Sequence, residues 1–215
     1  MLFALVIAYL AVTVVIGLHA ARRVGSTADY LVAGRSLPLS MTVATVFATW
    51  FGAETVLAVS STFLKDGLRG VVGDPFGAAF CLFITALFFA RRFYRMGLLT
   101  IGDFFRQRYN RTVEIAASIA ITVSFLGWTS AQMLALGIVI HTVSGGLVDL
   151  STAIIAGAAI VTLYTLFGGM WSVAITDLVQ TIVIVIGLLY IAWLLASMAG
   201  GFDVVYDKAV EQGRL

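Results

Sequence analysis

Residues 163–180 read LYTLFGGMWSVAITDLVQ. An apolar run enters Gly168-Gly169, turns there, and resumes as a second apolar run. Asp177 and Gln180 stand about one turn inside that second run. Ionisable side chains are costly within a membrane helix, so they mark ion or solute pathways. Acids also favour helix starts, where they meet the positive end of the dipole. Asp177 therefore has two readings, a group on a transport route or an interfacial acid.

Composition sets the environment of that stretch. Of 215 residues, 61% are hydrophobic and 11% charged, and the mean hydropathy is +1.05. Crossing a bilayer takes about 20 apolar residues at 1.5 Å each, and such runs recur along the chain. They are continuously apolar rather than alternating, which argues against a barrel. The fold class is an all-α polytopic membrane protein. The first run lacks a basic leader and is followed by Arg22-Arg23, so it reads as a retained helix rather than a signal peptide. Cys81 lies in an apolar run and reads as a small core residue. No metal-ligand spacing, nucleophile constellation or phosphate loop stands out, so the chain reads as no enzyme and as needing no resident cofactor.

Six spans are expected, near 2–21, 40–64, 73–94, 113–142, 152–167 and 173–196. Arg22, Arg23 and Arg35 fall between the first and second, and Arg91, Arg92, Arg95, Arg106, Arg108 and Arg111 between the third and fourth. The opposite segments hold Lys65, Arg69, Lys208 and Arg214. The positive-inside rule places the arginine-rich loops in the cytoplasm and the N-terminus outside. Asp177 then lies near the cytoplasmic end of the sixth span. The loop TIGDFFRQRYN, residues 100–110, suits a short amphipathic helix on the inner leaflet. Its arginines are those topology calls for, so no nucleic acid is expected as a partner. Residues 197–215 read as an extracellular loop cut short.

The second span, residues 41–64, reads MTVATVFATWFGAETVLAVSSTFL. Gly52 weakens it, Glu54 puts an acid near mid-membrane, and small or hydroxyl residues such as Ala44, Thr45, Ala48, Thr49 and Thr55 surround them. A membrane helix is interrupted only where its freed carbonyls meet protein, water or an ion. Discontinuous helices of secondary transporters use such carbonyls for sodium. The alternative is a continuous helix packed through small residues. Glu54 favours a polar cavity, because a glutamate facing lipid is expensive. In the fourth span, Trp128 and Gln132 line a cavity or serve helix packing. Candidate substrate-cavity residues are Trp50, Glu54, Thr55, Trp128 and Gln132.

These pieces resemble the sodium:solute symporter family. The resemblance is carried by residues 29–35, DYLVAGR, by the Ala48-to-Glu54 region, by the Thr100-to-Tyr109 loop, and above all by Gly168-Gly169-Met170-Trp171-Ser172-Val173 followed by Thr176-Asp177 and Gln180. The run at 163–180 is most similar to the high-affinity choline branch. The resemblance implies a LeuT-type inverted-repeat core. Residues 1–21 would be an extra helix and 40–196 the first five-helix repeat, with the second repeat absent and required for function. It implies sodium as coupling ion, held by the backbone carbonyls of Ala48 and Phe51, with Asp177 on the intracellular sodium route. Many members carry an acid where this chain has Trp50, so that role is absent or moved to Glu54.

The function implied is sodium-coupled import of a small organic solute across the cell membrane (plasma or bacterial inner membrane). Choline or another amine, an amino acid such as proline, a sugar, a monocarboxylate and pantothenate are the candidates. Trp50, Phe51 and Trp128 would favour an organic cation by about 0.5–2 kcal/mol per cation–π contact. The rivals are the membrane input module of a sensor histidine kinase and a proton-coupled carrier with Glu54 taking the proton.

Overall fold

A computed structural model describes residues 2–52 and 54–213, with Leu2, Glu54 and Leu57 described by backbone alone. Regular structure among the described residues is helical throughout. In chain order the α-helices are α1 (Leu2–Ala20), α2 (Thr27–Val32), α3 (Leu39–Trp50), α4 (Ser60–Asp66), α5 (Ala78–Thr85), α6 (Arg91–Arg95), α7 (Ile101–Arg108), α8 (Arg111–Val143), α9 (Leu150–Met198) and α10 (Phe202–Glu211). Among the described residues, four helical stretches are long and apolar enough to cross a membrane: Phe3–Arg23, Ser60–Arg95, Arg111–Val143 and Leu150–Met198. Counting Thr27–Arg35 with Leu39–Trp50 as one broken span makes a fifth. The chain is a multi-pass membrane protein.

Length forces breaks into these stretches. The 49 residues of α9 would run roughly 70 Å at 1.5 Å each, against a hydrocarbon core of about 30 Å. The helix breaks at Gly169, with φ +49° and ψ −143°, a region that only glycine occupies readily. Ser60–Arg95 is broken at Gly67, with φ +65° and ψ −155°. It is broken again at Asp74, which is extended ahead of Pro75, as the residue before a proline prefers to be.

Two compact units make up the chain, residues 1–41 with 93–176, and residues 42–92 with 177–215. In the first unit, small residues let helices approach closely, as they do in membranes generally. A Cβ on Gly17 of α1 would stand 3.0 Å from the Tyr164 side chain. One on Gly157 would meet Leu136 of α8 at 2.8 Å. Ser172 donates to the Gly17 carbonyl and is wholly buried. The Arg23 guanidinium lies 5.1 Å from the Trp171 ring centre, and Tyr30 Oη donates to the Thr165 carbonyl at 3.3 Å. The first helix and the α2 segment are thus sewn onto both sides of the Gly169 break.

The DYLVAGR stretch has its own logic. Ser26 caps α2 by accepting from the Asp29 amide at 3.1 Å, and Asp29 accepts in return from the Gly25 amide at 3.2 Å. Ala33, Gly34 and Arg35 then all take positive φ, at 49°, 60° and 56°. Left-handed backbone costs a non-glycine residue about 1–2 kcal/mol. Here it aims Arg35 at the end of α6. The guanidinium donates to Tyr94 O at 3.2 Å and Leu98 O at 2.7 Å, and lies over the Tyr94 ring at 5.4 Å. Tyr94 O also accepts from the Gly97 amide at 3.3 Å, so Arg35 clamps the turn that follows α6.

The amphipathic helix expected over residues 100–110 is α7. Thr100 and Asp103 form a reciprocal capping box, a device that satisfies two orphan amides at once. Phe104 meets Phe93 edge to face at 5.5 Å, and Gly102 lets α7 lie against Ser118 of α8.

Within the tail, residues 202–211 form a short helix, α10, in which Phe202, Val205, Tyr206, Ala209 and Val210 recur at helical spacing. One expectation needs correction. Cys81 is exposed rather than packed in a core, since it lies on an outward face of an apolar helix.

Two outcomes are expected. Gly169→Ala places a Cβ 2.5 Å from the Tyr30 carbonyl and adds about 1–3 kcal/mol of backbone strain. The variant melts several degrees lower in detergent, and an unchanged melting curve contradicts the assigned break. Hydrogen bonds from the Thr100 backbone hold the Asp103 carboxyl below its usual value. A lowered folded value means the box contributes above the ordinary carboxylate pKa and is lost as pH falls through the lowered one. Amide exchange at Leu99 and Thr100 therefore gains protection with rising pH through the acid range in wild type and not in Asp103→Asn.

Candidate functional site

The second unit contains an interrupted helix. α3 ends at Trp50, and the helix resumes at Glu54. On either side, the Phe51 amide donates to Phe47 O at 2.7 Å, and the Val56 amide to Gly52 O at 3.3 Å. Phe47 and Phe51 stack with ring centres 4.9 Å apart. The last four carbonyls of a helix point beyond its end and carry the negative pole of its dipole. Ala48 and Trp50 supply two of them and Phe51 follows directly, so this end of α3 suits a cation.

Thr55 braces the break. Its hydroxyl lies 3.1 Å from Trp50 O and 3.1 Å from Asp74 Oδ2, one proton shared between two acceptors. Asp74 is half-buried. Sequence reasoning passed over it. Its signal is an acid ahead of a proline at the mouth of an apolar run, which reads equally as an ordinary helix-start acid.

α9 meets α3 nearly two turns before the break. Thr181 donates to the Ala44 carbonyl at 3.3 Å, and Thr49 donates to Thr45 O at 2.8 Å. The half-buried Asp177 carboxylate is approached by the Thr45 hydroxyl, but without hydrogen-bond geometry, and Thr45 Oγ1 is buried with no partner. Residues three and four apart share a helix face, so Thr45, Ala48 and Thr49 lie on one stripe of α3.

Of the residues singled out in the sequence, Ala48, Trp50, Phe51, Thr55 and Asp177 belong to this unit. Trp50 is 47% exposed. The Glu54 side chain lies outside the described residues. Trp128 and Gln132 belong to the first unit, on α8. Trp128 packs edge to face on Phe125 at 6.0 Å, and Gln132 is half-buried. No group of three or more His, Cys, Asp or Glu side chains gathers among the described residues.

Thr55→Val removes the shared proton and leaves Trp50 O and Asp74 facing an apolar side chain. Losing such a bond typically costs about 1–3 kcal/mol when its partners stay buried. The variant melts earlier than wild type, and Thr55→Ser recovers most of the loss. Equal melting of Thr55→Val and wild type contradicts the bracing role.

Comparison with known proteins agrees with the resemblance. The model of the sodium:solute symporter family matches residues 30–213. The human high affinity choline transporter 1 is 31% identical over 214 residues, covering 96% of this chain and 36% of its own length. A zebrafish sodium-coupled monocarboxylate transporter 2 is 29% identical, covering 87% and 30%. The Vibrio parahaemolyticus sodium/glucose cotransporter is 30% identical, covering 91% and 36%. The chain thus spans about a third of the length of these relatives. No solved structure matches it. With the family model covering most of the chain, and an interrupted α3 and a broken α9 both present, the chain belongs to the sodium:solute symporter family.

Proposed function

We propose that this chain is part of a sodium-coupled secondary transporter that imports a small organic solute across the cell membrane. The observation that carries the reading is the end of α3. Carbonyls at the negative pole of a half-helix stand beside a break, and one turn away an acid on α9 faces a buried, unpartnered hydroxyl at Thr45. Transporters with discontinuous helices hold their coupling ions at such ends.

In this reading Ala48 and Phe51 present carbonyls to sodium, and Asp177 receives the ion on its way to the cytoplasm. Trp50, Glu54 and Thr55 contribute to the solute cavity. The Gly169 break divides α9 into a fifth and a sixth span, with the N-terminus outside. α1 is then the extra helix and residues 40–196 the first five-helix repeat of a LeuT-type core. Two carbonyls are too few to replace a cation's water shell, so the remaining ligands come from a second repeat in the full-length protein. The named activities of the relatives cover choline, monocarboxylates and glucose. Trp50 and Phe51, close to Glu54 in the sequence, favour an organic cation among these.

In the full-length transporter, Asp177→Asn keeps the side chain's shape and drops its charge. Sodium-dependent uptake falls at least tenfold while the protein reaches the membrane in normal amounts. Initial rates over a sodium series, with surface expression measured alongside, check this. Wild-type rate and sodium affinity would reduce Asp177 to a structural acid. Loss of pH dependence in Glu54→Gln, with uptake driven by protons alone, would instead favour a proton-coupled carrier.

A further inference from the structure

At the arginine-rich end of the first unit, α7 and the start of α8 enclose an open groove of about 420 Å³. Its two ends differ in chemistry. At one end stand Arg106 of α7 and Arg111, the first residue of α8. Glu114 lies 3.8 Å from Arg106, so the three charges leave a net positive end. The positive pole of the 33-residue α8 points the same way. The Arg106 side chain is 64% exposed, so its guanidinium is open to a ligand.

At the other end Ile115, Ile119 and Val123 line the groove. They recur every four residues and so form one stripe along α8. Each is at least half exposed, on a helix apolar enough to cross the bilayer. Such a stripe suits a hydrocarbon chain lying parallel to the helix. The groove therefore runs from an anion-attracting mouth at the membrane surface to an apolar wall within it. A free anion matches only the mouth, and a zwitterionic lipid cancels the charge that the mouth attracts.

We propose that this groove binds an anionic phospholipid. Its phosphate lies between Arg106 and Arg111, and one acyl chain follows Ile115, Ile119 and Val123. Basic groups at a membrane surface recognise anionic headgroups in this way. Ser118, which also lines the groove, stands between the two ends and gives the glycerol region a hydroxyl partner.

The test is native mass spectrometry of the full-length protein, titrated with phosphatidylglycerol or with phosphatidylcholine of the same chains. Phosphatidylglycerol binds at least tenfold more tightly. The double variant Arg106→Gln/Arg111→Gln loses at least tenfold of that affinity and leaves phosphatidylcholine binding unchanged. Arg106→Lys/Arg111→Lys keeps most of it. Ile119→Trp, which fills the apolar wall and leaves every charge in place, also weakens phosphatidylglycerol, and this covers the case in which the double variant fails to fold. Millimolar inorganic phosphate does not displace the lipid. Equal binding of the two lipids, full affinity in a folded double-Gln variant or in Ile119→Trp, or displacement by free phosphate overturns the proposal.

Discussion

Within lipid no water is at hand to satisfy an exposed peptide group, so every break in a membrane helix must find its partners inside the protein. The rest of this structure follows from that constraint. The breaks at Gly169 and after Trp50 each free backbone that a continuous helix would pair. At Gly169 the Thr165 carbonyl, four residues before the break, accepts from Tyr30 Oη. Ser172, just after it, ties α9 to Gly17 O of α1, and Arg23 covers Trp171. After Trp50 the compensation is partial. Thr55 reaches back to Trp50 O, while the Ala48–Phe51 end of α3 keeps its negative pole. One break is braced by neighbouring helices, and the other leaves the negative pole of a half-helix open.

The same contrast explains why the first unit is stitched so closely. α1 contributes Gly17 at a backbone approach that a side chain would block, and Arg35 spends the strain of a left-handed turn to reach the carbonyls after α6. Each of these groups sits at a helix end or a helix crossing.

Much of this was legible in the sequence. Gly168-Gly169 between two apolar runs pointed to a break, and the structure places it at Gly169. Gly52 beside Glu54 pointed to an interruption, and the helix stops at Trp50. Both signals are local, because they rest on glycine and on the cost of a charge in lipid. Pairings across the chain were not legible. Thr55 with Asp74, Thr181 with Ala44, and Arg35 with Leu98 join residues whose types fit bland roles equally well. Arg35 looked like one more topology-setting arginine, and Asp74 drew no reading at all. α10 was missed because five charged residues in a short tail outweighed its helical spacing of apolar residues.

The proposed place of the interrupted α3 is in a sodium-driven carrier. The most direct test is solute accumulation by the full-length protein in proteoliposomes under three conditions: an inward sodium gradient, an inward proton gradient, and none. The relatives' named solutes, choline, monocarboxylate and glucose, are each supplied as labelled probe. The account predicts that at least one probe is concentrated above its outside level under the sodium gradient alone. Accumulation under the proton gradient without sodium, or equilibration that ignores both gradients, would contradict it.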